Sequence, residues 1–160
     1  MHALSKLVTL GVVVAFASAV AVTVSAQTGS EIGTWKLNVA KSTYSPGPAP
    51  KSLTVVYEAA GQGVKVSAET VNADGSKLAT VYTANYDGTD VPFTGNPAID
   101  TTSLKRINAT TVEETRKKGG KVVRTLTRVM SADGKSFTAT VKGTNDQGQA
   151  INNVVVFEKQ

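Results

Sequence analysis

From Gly33 to the C-terminus the chain alternates β-branched or aromatic residues with polar ones at a period of two. Gly, Asn or Asp interrupts the pattern about every ten residues. The alternation predicts an all-β protein with strands at 33–38, 52–58, 63–71, 78–86, 90–94, 101–107, 111–118, 121–130, 136–143 and 150–158. Short turns separate most of them: "NADGSK" at 72–77, "YDGTD" at 86–90, "KKGGKV" at 117–122, "SADGKS" at 131–136 and "NDQGQ" at 145–149 supply Gly where a positive φ is needed. Tight turns join antiparallel neighbours, so the strands form a meander, and a meander of this length removes its exposed edges by closing on itself. The expected fold is an antiparallel up-and-down β-barrel of about 8–10 strands, with a sandwich as the alternative. No later stretch carries a sustained helical stripe. Pro46, Pro48 and Pro50 make "YSPGPAPKS" an extended crossing, and "PFTGNPAID" at 92–100 breaks the meander in two.

The first 26 residues follow a different rule. Lys6 precedes an unbroken apolar run from Leu7 to Val24, and Val24-Ser25-Ala26 offers the small residues of a cleavage site. We read residues 1–26 as a signal peptide cleaved after Ala26 and 27–160 as a single barrel domain. An uncleaved membrane anchor is the competing reading of the same run. The expected location is periplasmic or secreted. Removing 26 of the 160 residues leaves 134, a length that suits one domain. Without cysteine the chain has neither a disulfide framework nor a thiolate metal site. Its one histidine, His2, lies in the segment to be removed, which takes away Ser-His and Cys-His nucleophile pairs and the usual His-containing metal sites. Neither a metal nor another cofactor is expected.

"GTW" at 33–35, entering the first strand of a meander that ends in "VVVFEKQ" at 154–160, resembles the calycins, the lipocalins and fatty-acid-binding proteins. The strand-turn-strand order of "ETRKKGGKVVRTLTRVMSADGKSFTATVKGT" at 114–144 is similar to the C-terminal strands of a fatty-acid-binding protein. The resemblance implies that Trp35 packs across the closed end of the barrel and that the last strand returns beside the first. It also marks two departures. The stretch "VAKSTYSPGPAPKS" is too short and too rich in proline for the helical lid of that family, and the positions of its carboxylate-anchoring Arg and Tyr hold Val155 and Phe157. Arg128 is the nearest counterpart of the family's other inward Arg, one residue out of step, a slip that turns a strand residue to the opposite face.

Trp35 reads as a barrel-closing core residue, under a basic side chain such as Arg124 or Arg128. Lys105, Arg106, Arg116, Lys117, Lys118, Lys121, Arg124 and Arg128 cluster in sequence, either as a solvated face or as a stripe that attracts anionic envelope components. Tyr44, Tyr57, Tyr82, Tyr86, Phe93, Phe137 and Phe157 either line a cavity or fill a core. Alternation gives Tyr57 the face of Val55 and Leu53, and Phe157 that of Val155. No catalytic residue is assigned: most carboxylates sit in turns, and Glu113 and Glu114 point to opposite faces of one strand. Only a shared pocket for Glu58 and Glu69 reopens that class. The sequence therefore leads to a monomeric, non-catalytic barrel that binds a small hydrophobic or amphiphilic molecule through Tyr57, Tyr82, Arg128, Val155 and Phe157, and no nucleic acid. The alternative is a solid-cored envelope interaction or structural protein that meets anionic surfaces through Lys105, Arg106, Arg116, Lys117 and Lys118.

Overall fold

The structure, a computed structural model, describes residues 30–160, so the expected signal peptide lies outside the described residues. The alternating segments form ten antiparallel strands: β1 (Gly33–Leu37), β2 (Ser52–Ala60), β3 (Gly63–Val71), β4 (Lys77–Ala84), β5 (Val91–Pro92), β6 (Thr101–Arg106), β7 (Thr111–Lys118), β8 (Lys121–Met130), β9 (Ser136–Thr144) and β10 (Ala150–Lys159). They make one sheet in the order β4-β3-β2-β1-β10-β9-β8-β7-β6-β5. The last strand returns beside the first, with Trp35 opposite Lys159 and Leu37 opposite Phe157.

The two outer strands of that order meet at a narrow seam. Val81 and Thr94 exchange two backbone hydrogen bonds of 3.1 Å each, and this bridge closes the barrel. Gly95 makes the approach possible: its φ is +97°, and a Cβ there would collide with the Ala79 carbonyl. The segment expected to pair over 90–94 pairs as a strand only at Val91 and Pro92, because Pro92 has no N–H to extend the ladder. At the opposite extreme, Gly119 and Gly120, both at positive φ, form the two-residue hairpin between β7 and β8 that matches strand twist.

The proline stretch takes its expected extended course. After β1 a single 3-10 turn, Val39–Lys41, is capped by Asn38, whose side-chain oxygen accepts from the Lys41 N–H. It is the one helical piece among the described residues. Thr43 and Ser45 then pair their backbones with Val154 and Asn152 of β10, and the chain passes over one end of the barrel to β2.

Inward positions fill the other end. Trp35, Val64 and Leu104 are almost fully buried. Phe137 stacks on Phe157 at 4.7 Å, tilts against Trp35 at 4.9 Å and meets the edge of Tyr57 at 6.3 Å. The cation over Trp35 is Lys159, 5.3 Å from the ring centroid, not the expected Arg124 or Arg128. Lys159 holds that place because it is the direct cross-strand partner of Trp35. The carboxylates of Asp74, Asp87 and Asp133 accept hydrogen bonds from Ser76, Thr89 and Ser131 within their own turns, which holds each below the usual carboxylate range. Glu58 pairs with Lys65 on the exposed surface, and Glu69, three residues along β3 from Val66, does not line the interior.

Candidate functional site

The proline-spanned end of the barrel is hollow. A cavity of about 580 Å³ runs from a mouth framed by Tyr44, Pro46, Pro48 and Pro50, with Asp74 and Asp146 on turns beside it, down to Tyr57, Phe137 and Phe157. Its two sides differ in kind. Leu53, Val55, Val66 and Ala68 from β2 and β3, with Val141, Ile151 and Val155 from β9 and β10, form an apolar wall. Across from it, β7 and β8 present Glu114, Arg116, Arg124, Leu126 and Arg128.

All five residues expected to touch a ligand border this cavity: Tyr57, Tyr82, Arg128, Val155 and Phe157. Trp35 does not; it is 0% exposed, packed beneath Phe137, with its Nε1 donating to the Glu31 carbonyl at 2.8 Å. Arg128 faces inward, so the one-residue slip in the turn before it does not reverse its side. It shares parity with Leu126 on β8, and both border the cavity.

Below the cavity lies a buried ion trio that the sequence reading missed. Glu31, two residues before β1, is 4% exposed. One of its carboxylate oxygens accepts from Arg106 Nη2 at 2.7 Å and the other from Arg128 Nη2 at 2.6 Å. The Arg128 guanidinium also lies 4.6 Å over the Tyr57 ring, and that of Arg106 lies 4.2 Å over Tyr86. A second network sits higher on the polar wall. Glu114 accepts from Arg116 Nε at 2.6 Å, Thr102 Oγ1 at 3.2 Å and Tyr82 Oη at 3.1 Å. Tyr82 stacks on Phe93 at 5.6 Å, and the Arg116 guanidinium lies 5.0 Å from the same Phe93 ring.

These contacts correct the expected basic face. Arg106 and Arg116 are turned inward and ion-paired, so they do not stand with Lys105, Lys117 and Lys118 on one outer stripe. Strand parity is the reason: Arg106 follows Leu104 by two, and Arg116 follows Val112 by four, each on the core side. Lys117 is itself paired with Asp90 at 2.7 Å. Among the described residues no group of three or more His, Cys, Asp or Glu side chains is placed to hold a metal ion.

Burial shifts every tyrosine in the chain the same way. Desolvation pushes Tyr44 up to about 12 and raises Tyr57, Tyr82 and Tyr86, with Glu114 adding to the effect on Tyr82 and Glu31 to that on Tyr86. A folded pKa above the unfolded value contributes stability that is complete below the unfolded value and is lost as pH rises through the folded one. Phenolate absorbance should therefore stay flat through the ordinary tyrosine range of about pH 10 and then rise together with loss of β-sheet circular dichroism. Four phenols titrating freely near pH 10 in folded protein would show that the interior is open to water.

No protein-family model matches the chain, and no curated protein sequence matches it. Solved structures do. Rv2717c from M. tuberculosis superposes with a TM-score of 0.50 at 13% identity, over 82% of this chain and 94% of that one. A redesigned beta barrel gives 0.47 at 13% identity, over 82% and 92% of the two chains. The zebrafish ileal bile acid-binding protein complexed with cholic acid gives 0.46 at 10% identity, over 82% and 99%. At such identities the likeness is one of fold, an antiparallel up-and-down barrel whose last strand returns beside the first.

Proposed function

We propose that this protein is an exported carrier that binds a small hydrophobic or amphiphilic molecule reversibly, without chemical conversion, inside the barrel. The observation that carries the reading is the two-sided cavity of about 580 Å³ beneath a mouth made of loops. Its volume lies within the range of small-molecule sites, roughly 300–1,000 Å³. Its apolar wall favours burial of hydrocarbon at about 25 cal/mol per Å² before ordering costs. Tyr57, Tyr82, Val155 and Phe157 supply contact surface, and Arg128 supplies the cation nearest the floor. The leader-like residues 1–26 support export to the periplasm or beyond.

Native mass spectrometry of the mature protein from its own exported fraction, with extraction of any co-purifying molecule, tests this directly. One apolar or amphiphilic molecule per chain is the expected result. A clean apo mass, together with no uptake of a fluorescent fatty-acid probe, would overturn the proposal.

A further inference from the structure

Arg116 and Arg124 stand directly opposite one another in the β7–β8 register, and both border the upper cavity. Like charges opposed on one face of a sheet repel. Here water screens them poorly, since their side chains are only 20% and 15% exposed. Burial, reinforced by Arg116 alongside, holds the Arg124 pKa below the ordinary arginine range.

The chain answers this pair of charges only in part. Glu114 takes the Nε of Arg116 but divides its carboxylate with Thr102 and Tyr82. Asp146 reaches Arg124 Nη2 at 3.2 Å from an exposed turn, with 51% of its side chain in solvent, and exposed pairs of this kind are weak. The Thr144 carbonyl accepts from Nε and Nη2 of Arg124. Both Nη groups of Arg116 and Nη1 of Arg124 have no hydrogen-bond partner among the described residues. The floor is different: there Arg128 already has the carboxylate of Glu31, built in from the chain itself. Unspent planar donors therefore converge near the mouth, where two guanidinium forks suit an oxyanion.

We infer that the Arg116–Arg124 pair is the headgroup site of an anionic amphiphile, a sulfonate, sulfate or carboxylate held just inside the mouth with its apolar body below, against Leu126, Val141 and Val155. The inference rests on the cavity reading above and adds the charge and the orientation of the occupant.

Calorimetric titration of the mature protein with three probes tests it: octyl sulfonate, octanol and inorganic sulfate. Octyl sulfonate is expected to bind at least about tenfold tighter than octanol, as charge-assisted hydrogen bonds allow, and inorganic sulfate not measurably. Arg124→Gln leaves no buried carboxylate unpaired, so it should fold; it is expected to bring the sulfonate-to-octanol ratio close to one while octanol affinity holds. Lys118→Gln removes the same charge from the outer surface and should leave the ratio unchanged. Equal binding of sulfonate and octanol by the unaltered protein overturns the headgroup site and leaves the cavity reading standing. Failure of both to bind sinks the cavity reading itself. A ratio unmoved by Arg124→Gln, or lowered equally by Lys118→Gln, overturns the assignment to this pair. Inorganic sulfate binding as tightly as octyl sulfonate replaces the amphiphile with a free anion.

Discussion

Replacing Glu31 with glutamine should destabilise the barrel by ~3–5 kcal/mol, because it leaves the buried Arg128 guanidinium and the partly buried one of Arg106 without their shared carboxylate. Arg128 is 8% exposed as a residue, and the side chains of Arg106 and Glu31 are 25% and 6% exposed. Two cations so placed cannot recover the lost attraction from solvent without opening the floor. The substituted amide can still accept a hydrogen bond, but it cannot neutralise either charge. In a protein of this size such a loss lowers the thermal midpoint on the order of 10 °C. The comparison is Glu158→Gln, which breaks the exposed Lys41–Glu158 pair, 63% and 42% exposed, and should leave the midpoint almost where it was. Urea denaturation followed by circular dichroism reads both. Equal, small shifts for the two variants would mean that water reaching Arg128 through the cavity already solvates the trio.

That trio also shows where reading the chain from its sequence succeeds and where it stops. All ten strands were legible, since each alternates cleanly and is bounded by a turn signal; only 90–94 shrank by more than one residue, at Pro92. The same alternation set Tyr57, Val155 and Phe157 on the inner face, and the structure places them there. It could also have placed the inward arginines. Arg128 was expected at the ligand; Arg106 shares the parity of Leu104, and Glu114 and Arg116 share that of Val112, yet a run of cations on neighbouring strands reads as a solvated face. The expectation that charge lies outside outweighed the period. Glu31 had no such signal. It precedes the first strand, belongs to no alternating segment, and reaches its partners across 75 and 97 residues of chain. Cavity volume was equally beyond the sequence, because the same inward aromatic residues can fill a core or line a hollow.

The structure resolves that ambiguity by doing both, at opposite ends. Aromatic rings fill the end where β1 begins, and shorter aliphatic side chains on β2, β3, β9 and β10 leave room at the end where the prolines cross. Each end then has its own arginines. Those at the filled end share the one carboxylate of Glu31, and those near the mouth pair with Glu114 and the exposed Asp146 but keep Nη donors without a partner among the described residues. A polar wall of this kind is costly to bury unless something pairs with it, which ties the proposed occupant to the side of the cavity that the fold leaves least satisfied.

The single tryptophan holds the filled end together, and Trp35→Ala should cost ~3–5 kcal/mol, the range for deleting a large buried aromatic side chain. The indole is 0% exposed and lies 4.9 Å from Phe137, which in turn supports Phe157 and Tyr57. Its removal would leave a void directly beneath the cavity floor, so ring packing above it should loosen as well. Trp35 has a second task, which sets it apart from an ordinary core residue. Its Nε1 holds the Glu31 carbonyl at 2.8 Å, and that bond places the Glu31 side chain between its two arginines. Trp35→Ala and Glu31→Gln should therefore be less than additive when combined, by about 1 kcal/mol, because the first already disturbs what the second removes. Trp35→Phe keeps most of the packing and loses the hydrogen bond, so its cost should be markedly smaller and its coupling to Glu31→Gln similar. Circular dichroism in urea is the suitable measurement, since the substitutions remove the indole fluorescence. Strict additivity of Trp35→Ala with Glu31→Gln would show that the indole only fills space and that the loop before β1 finds its place without it.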